Sequence, residues 1–166
     1  MVVGDFAIDL DTVVVGAGPG GYVAAIHAAE LGQKVTVIER EYIGGVCLNV
    51  GCIPSKALIE AAHHYQHAMD SQEMGLQVTA AKLDFDKTIE WKNNVVARLT
   101  GGVASLFKKH KIDVIWGNAY LKDSHSLRVI SDDDKAQTYT FNNLIIATGS
   151  HPIEIPNFKF EGRVLD

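Results

Sequence analysis

The stretch that decides the fold is residues 12–39, TVVVGAGPGGYVAAIHAAELGQKVTVIE. Thr12 to Val15 is a β-branched run that reads as a fully buried strand. Gly16-Ala17-Gly18-Pro19-Gly20-Gly21 breaks it, and the alanine-rich segment from Tyr22 to Leu31 then reads as a helix. Gly32 suits the helix C-terminus, and Lys34 to Ile38 makes a second strand. Strand, helix and strand within about 30 residues is the usual size of a parallel βαβ unit.

Gly16, Gly18 and Gly21 form G-x-G-x-x-G between the first strand and the helix. The first glycine permits a tight turn, the second lets backbone approach a pyrophosphate, and the third lets helix pack on sheet. Phosphate charge then meets the helix N-terminus. Ala25 and Ala28 keep the helix thin where it crosses the strands. Glu39 ends the second strand 18 residues after Gly21, where a carboxylate can accept hydrogen bonds from a ribose diol. It also argues against a 2′-phosphorylated nucleotide, since like charges repel. The pattern implies dinucleotide binding but does not choose between FAD and NAD.

The chain has 166 residues, 47% of them hydrophobic, enough for one well-cored domain. Its net charge is −5 with both signs scattered, and no Lys/Arg block appears, so nucleic acid and anionic membrane are not expected partners. Met1 to Asp11 carries three aspartates and no Lys or Arg, unlike a targeting segment. No apolar run has the length to span a bilayer. A cytoplasmic location is the expectation.

Beyond Glu39, Pro54 suits the first turn of a helix running to about Met69. A polar loop, Asp70 to Lys82, leads to a long helical pattern from Phe85 to His110. Its centre holds Gly101-Gly102, where the reading allows a kink or close packing. Short strands follow near Val114–Leu121, Leu127–Ser131 and Thr138–Phe141, with Asp132-Asp133-Asp134 as a solvated hairpin tip. Leu144 to Ala147 reads as a further buried, parallel-type strand. Trp91, Trp116 and Tyr65 read as packing residues. The fold expected is α/β: a Rossmann-like, three-layer domain with a parallel sheet and a small antiparallel β-meander.

Both cysteines fall in residues 44–56, GGVCLNVGCIPSK. A thiol reacts as thiolate, and a helix N-terminus favours that form. Two sulfurs five residues apart provide one attacking and one resolving thiol for disulfide exchange. Cys52, nearer the helix start, is expected to have the more stabilised thiolate. Two inert buried cysteines are the plain alternative. A zinc site is the other: Cys47-x4-Cys52 and His63-x3-His67 mimic a Cys2His2 spacing. Yet Cys52 and His63 fall on one expected helix, separated by roughly 16 Å at 1.5 Å per residue. No metal ligands are therefore expected, and His63, His64 and His67 read as surface or partly packed.

The segment Cys-Leu-Asn-Val-Gly-Cys-Ile-Pro-Ser-Lys resembles the redox-active loop of the flavin-dependent pyridine nucleotide–disulfide oxidoreductases. Within that family its wording is most similar to the branch that oxidises dihydrolipoyl groups. Fingerprint, cysteine loop, long helix, Gly117-Asn118-Ala119 and Ile145-Ile146-Ala147-Thr148-Gly149-Ser150 match the family's N-terminal FAD-binding domain in order. The resemblance implies FAD as cofactor, with Cys47 as interchange thiol and Cys52 as the thiol against the flavin. Lys56 would sit near the flavin. Gly16, Gly18, Pro19, Gly20 and Gly21 would hold the pyrophosphate, with Glu39 at the ribose and Arg40 beside it. Gly45 and Val46 belong to the same implied contacts. Asn118 and Ala119 would meet the adenine, and Ala147, Thr148 and Gly149 the phosphate–ribose region.

The resemblance further implies that residues 1–166 are the FAD-binding fragment of a longer parent, lacking its NAD-binding, central and interface domains. NAD(H) would bind only through a missing domain. The parent would be a homodimer that oxidises dihydrolipoamide to lipoamide. Its partners would be lipoyl groups of 2-oxo acid dehydrogenase complexes or the glycine cleavage system. The fragment alone is expected to lack turnover. Alternatives are a glutathione or mercuric reductase-like relative, a non-catalytic flavin-binding module, and a metal-stabilised interaction module.

Overall fold

The computed structural model describes residues 6–162. Strand β1 (Ile8–Val15), helix α1 (Pro19–Glu30) and strand β2 (Val35–Glu39) form the opening βαβ unit. Helices α2 (Gly45–Asn49), α3 (Cys52–Asp70) and α4 (Phe85–Lys109) follow, with a 3-10 turn at Ser71–Met74. Strands β3 (Asp113–Trp116), β4 (Asn118–Leu121), β5 (Ser126–Ile130) and β6 (Ala136–Ile146) complete the helices and strands of the described residues. The sheet order is β3-β2-β1-β6-β5-β4. β1, β2, β3 and β6 run parallel, with Thr12 opposite Val35 and Val13 opposite Leu144. β4, β5 and the first part of β6 form the antiparallel meander.

Alternation along β1 and β2 builds three layers, because successive side chains in a strand point to opposite faces. Val14, Val35 and Val37 meet Ala25 and Ala28 of α1 and Val103 and Phe107 of α4. Val13 and Ile38 face the other way, onto Leu127, Val129 and Phe141 of the meander. A strand buried on both faces must be apolar at nearly every position, which is why Thr12–Val15 shows no polar alternation. Burying each such valine in full stabilises the fold by about 1.5–3 kcal/mol.

The helix boundary at Gly32 follows the expected chemistry. Gly32 has φ +88°, its N–H donates to Ala29 O at 3.0 Å, and Gln33 N–H donates to Ala28 O at 3.1 Å. Those two bonds are a Schellman closure, with glycine in the left-handed position.

Several expectations are corrected. α1 starts at Pro19, not Tyr22, because Pro with its fixed φ suits the first helical position after N-cap Gly18. The strand expected over 114–121 is split at Gly117. That residue has φ +147°, and a Cβ there would lie 2.5 Å from Ile130 O. The chain leaves the parallel sheet at this point and enters the meander. Conversely, the two strands expected around Asn142-Asn143 are one strand, β6. The polar pair does not break it, since Asn142 Nδ2 donates to Asp11 Oδ1 at 3.2 Å and Asn143 Nδ2 to Thr12 Oγ1 at 3.3 Å. α4 runs unbroken through Gly101-Gly102, and an added Cβ at either would meet nothing within 4 Å, so no close packing occurs there. Trp91, Trp116 and Tyr65 are 44%, 48% and 40% exposed, not core residues. Ser131–Lys135 does form a hairpin tip, with Asp134 at φ +58°.

Candidate functional site

A cleft of about 780 Å³ opens at the carboxyl ends of β1, β2 and β6. This is the crevice beside the point where strand order reverses, the usual ligand position in such sheets. Its size falls within the range of about 300–1,000 Å³ typical of small-molecule and cofactor sites.

Gly16, Gly18, Pro19 and Gly20 line it from the β1–α1 turn, and Glu39 and Arg40 from the end of β2. Gly45, Val46, Cys47 and Cys52 close one side, and Ala147, Thr148 and Gly149 another. The structure thus gathers thirteen of the sequence-derived site residues. Gly21 lies beneath the turn: a Cβ there would sit 1.7 Å from Gly16 O. Gly16 has φ +100° and abuts Ala147 O at 2.3 Å from its notional Cβ. These two glycines pack protein on protein. Gly18 and Gly20 are different, with nothing nearer than 3.8 Å to an added Cβ, and leave room in the cleft. No side chain caps the start of α1, so its leading N–H groups remain for an anion.

Lys56, Asn118 and Ala119 do not line the cleft. Lys56 is exposed on α3, one turn past Cys52. Asn118 follows Gly117, whose N–H donates to the backbone carbonyl of Glu39 at 2.8 Å. Ala119, in β4 of the meander, packs against the cluster around Val13 and Ile38. The cleft also takes Glu41, Tyr42, Ser150, His151 and Pro152. Glu41, Tyr42, His151 and Pro152 carry no local signal and enter because they flank Arg40 and Gly149, while Ser150 is the last residue of the 145–150 motif.

Glu39 is buried, with 9% of its surface exposed, and is already engaged by backbone. Its Oε2 accepts from Ala17 N–H at 2.6 Å, and its Oε1 accepts from Arg40 and Glu41 N–H at 2.9 Å each. A carboxylate offers about four acceptor positions, so the one left free lies on Oε2. The side chain therefore ties the glycine turn to the end of β2, with one acceptor position to spare.

The cysteine segment is itself stitched to that turn. Gly44 and Gly45 both have positive φ, +98° and +58°. Gly44 N–H donates to Ala17 O at 2.8 Å, and a Cβ on Gly45 would lie 2.6 Å from Gly18 Cα. Cys47 sits in α2, a short helix where the sequence suggests only a loop, and Cys52 is the first residue of α3. Both are free thiols, Cys47 half-buried and Cys52 exposed. The Cys47 thiol is held above its ordinary range, first by its hydrogen bond with the Cys52 side chain, then by burial and the charge of Cys52. Lys56 pulls it the other way.

Cys52 and His63 share the continuous helix α3, and the rings of His63 and His67 stack at 6.1 Å. Among the described residues no group of three or more His, Cys, Asp or Glu is placed to hold a metal ion. No helix among them is long and apolar enough to cross a membrane.

Comparison with known proteins places this geometry. The chain is 63% identical over its full length to dihydrolipoyl dehydrogenase of Bacillus subtilis (strain 168), and 61% to that of Geobacillus stearothermophilus. It spans 35% of the length of each. The enzyme of the same name from Halobacterium salinarum is 46% identical, again over the whole chain and 35% of that protein. Among solved structures, the Cu(II) complex of the HOCl-induced flavoprotein disulfide reductase RclA from Escherichia coli superposes with a TM-score of 0.74 at 29% identity. That match covers 89% of this chain and 30% of that one. Residues 10–165 match the profile of the pyridine nucleotide-disulphide oxidoreductases, and the chain belongs to that family.

Proposed function

We propose that residues 1–166 form the FAD-binding, thiol-bearing part of an enzyme that oxidises dihydrolipoyl groups with NAD+ as final acceptor. The observation that carries this reading is the meeting of Cys47 and Cys52 with the glycine turn in one cleft. The identity to dihydrolipoyl dehydrogenases supports the choice of substrate. The cleft fits FAD: Gly18 and Gly20 leave space for a diphosphate against the uncapped start of α1, and Glu39 keeps one acceptor position for a ribose hydroxyl. Ala147, Thr148 and Gly149 border the same space.

In the oxidised state Cys47 and Cys52 share a disulfide. One thiolate of the dihydrolipoyl group attacks Cys47 Sγ, the S–S bond breaks, and Cys52 departs with the electron pair. The second substrate thiol, as thiolate, then attacks the substrate sulfur bound to Cys47 and releases Cys47. Lipoyl disulfide leaves, and two electrons and two protons remain on the cysteine pair and its surroundings. FAD, when bound, supplies the two-electron acceptor between the thiols and NAD+. NAD(H) is proposed to bind outside residues 1–166, since this chain carries a single glycine fingerprint.

The partners on this reading are lipoyl groups of 2-oxo acid dehydrogenase complexes or the glycine cleavage system, and a second copy of the parent enzyme. A reducing cytoplasm suits a cysteine pair that cycles. The test is reconstitution of the chain with FAD followed by thiol titration. The expected result is bound flavin, two thiols after reduction, and none after mild oxidation. A chain that takes up no FAD, or keeps both thiols free under oxidant, overturns the reading.

A further inference from the structure

The chain from Ile43 to Asn49 makes an improbable turn. Gly44 and Gly45 are consecutive residues with positive φ, and the helix they start, α2, has only five residues. A helix that short is not stable on its own backbone bonds, because nucleation consumes most of what one turn returns. Something else must hold it. Asn49, at its end, reaches back across the turn: its Nδ2 donates to Ile43 O at 2.9 Å and to Gly45 O at 3.0 Å. One amide thus ties the carbonyl before the left-handed pair to the carbonyl of its second residue. Asn49 lies between Cys47 and Cys52 in sequence and does not line the cleft.

We propose that Asn49 is a positioning residue for the cysteine pair. It fixes the turn whose helix carries Cys47, so that Cys47 Sγ stays within reach of Cys52 as disulfide closes and opens. Gly44 N–H on Ala17 O and Gly45 against Gly18 set where the start of α2 lies, and Val50 and Gly51 N–H, at 3.0 and 2.7 Å from Val46 O, close its backbone at the far end. Leu48, buried in the helix layer, anchors the middle. Among the side-chain hydrogen bonds of the described residues, the two from Asn49 are those that cross from the end of α2 to its start and to the carbonyl ahead of it. The chemistry demands two N–H donors from one short side chain, and only the asparagine amide supplies both at this reach. Aspartate is nearly isosteric but offers only acceptors at neutral pH, and would face two carbonyl oxygens.

The proposal rests on the redox reading of the cysteine pair, and the experiment separates the two. The whole chain is equilibrated in reduced and oxidised glutathione, and the fraction of Cys47–Cys52 disulfide is read by mass spectrometry. Asn49→Asp is expected to lower the effective concentration of the pair at least tenfold, and Asn49→Ala at least threefold, with far-UV circular dichroism retained. Equilibria within twofold of wild type for both folded variants would overturn the positioning role. So would loss of helical signal by both variants, which would assign Asn49 to global stability. A wild-type pair that never oxidises instead defeats the redox reading itself, and this proposal with it.

Discussion

At the scale of single residues, a carboxylate, a thiol and a glycine each do something the bare motif does not announce. Glu39 invites a ribose-binding interpretation, yet three backbone N–H groups already occupy it. Replacing it with Gln turns one acceptor into a donor that faces N–H groups. Glu39→Gln is expected to cost about 1–3 kcal/mol of stability, the range for orphaning a buried partner, measurable by urea unfolding, as well as weakening FAD binding. The Cys47 thiol, held above its usual range mainly by Cys52, should stay protonated through neutral pH. Its alkylation rate should therefore rise with an inflection above the ordinary thiol midpoint. Cys52→Ala, by removing the leading cause, should bring that inflection down, while Lys56→Met should push it higher. Mass-spectrometric alkylation profiles between neutral and alkaline pH read both shifts. Gly45→Ala should lower FAD affinity at least tenfold, because its Cβ would enter Gly18 at 2.6 Å in a backbone region that side chains avoid. Fluorescence titration measures that loss.

At the scale of elements, two helix positions run against propensity with nothing in the structure to compensate. Gly101 and Gly102 sit in α4 with open space where a Cβ would be. Gly101→Ala should raise unfolding stability by about 0.5–1 kcal/mol. The end of α4 closes as α1 does: Lys111 N–H donates to Lys108 O at 3.2 Å and Ile112 N–H to Phe107 O at 2.9 Å. Here, however, the left-handed position holds Lys111, at φ +56°. Lys111→Gly should stabilise the protein by up to about 1 kcal/mol, since a side chain is costly in that conformation. Chemical denaturation curves of both variants check these signs. The same elements show what the chain makes legible. β1, α1 and β2 could be read because glycine, alanine and β-branched residues each have a local physical meaning there. α2 could not, since five residues carry no periodicity and its turn depends on Asn49 and Ala17 from different places in the sequence. The sequence alone suggests two strands over β6, because the polar pair Asn142-Asn143 looks like a break that only its bonds to β1 resolve. The split at Gly117 was missed because a steric collision with Ile130 is a long-range fact.

At the scale of the whole molecule, the three layers serve the cleft. Helices cover one face of the parallel strands and the meander covers the other, which leaves their carboxyl ends as the free edge where β1, β2 and β6 present their turns. The glycine turn, Glu39 and the cysteine helices meet there from separate parts of the chain and are bonded to one another through Ala17. Cleft-lining residues such as Gly16, Cys47 and Thr148 are recognisable from motifs; Tyr42 and His151 are not, because only their neighbours carry a chemical signature. The thiols and the flavin are expected to share this cleft, with Cys52 the thiol that faces the ring. The most direct measurement is the absorption spectrum of the FAD-loaded chain after two-electron reduction. The expected spectrum has a long-wavelength band from a thiolate beside the flavin, retained in Cys47→Ser and absent in Cys52→Ser. A spectrum without that band, or one that Cys52→Ser leaves unchanged, would overturn this arrangement.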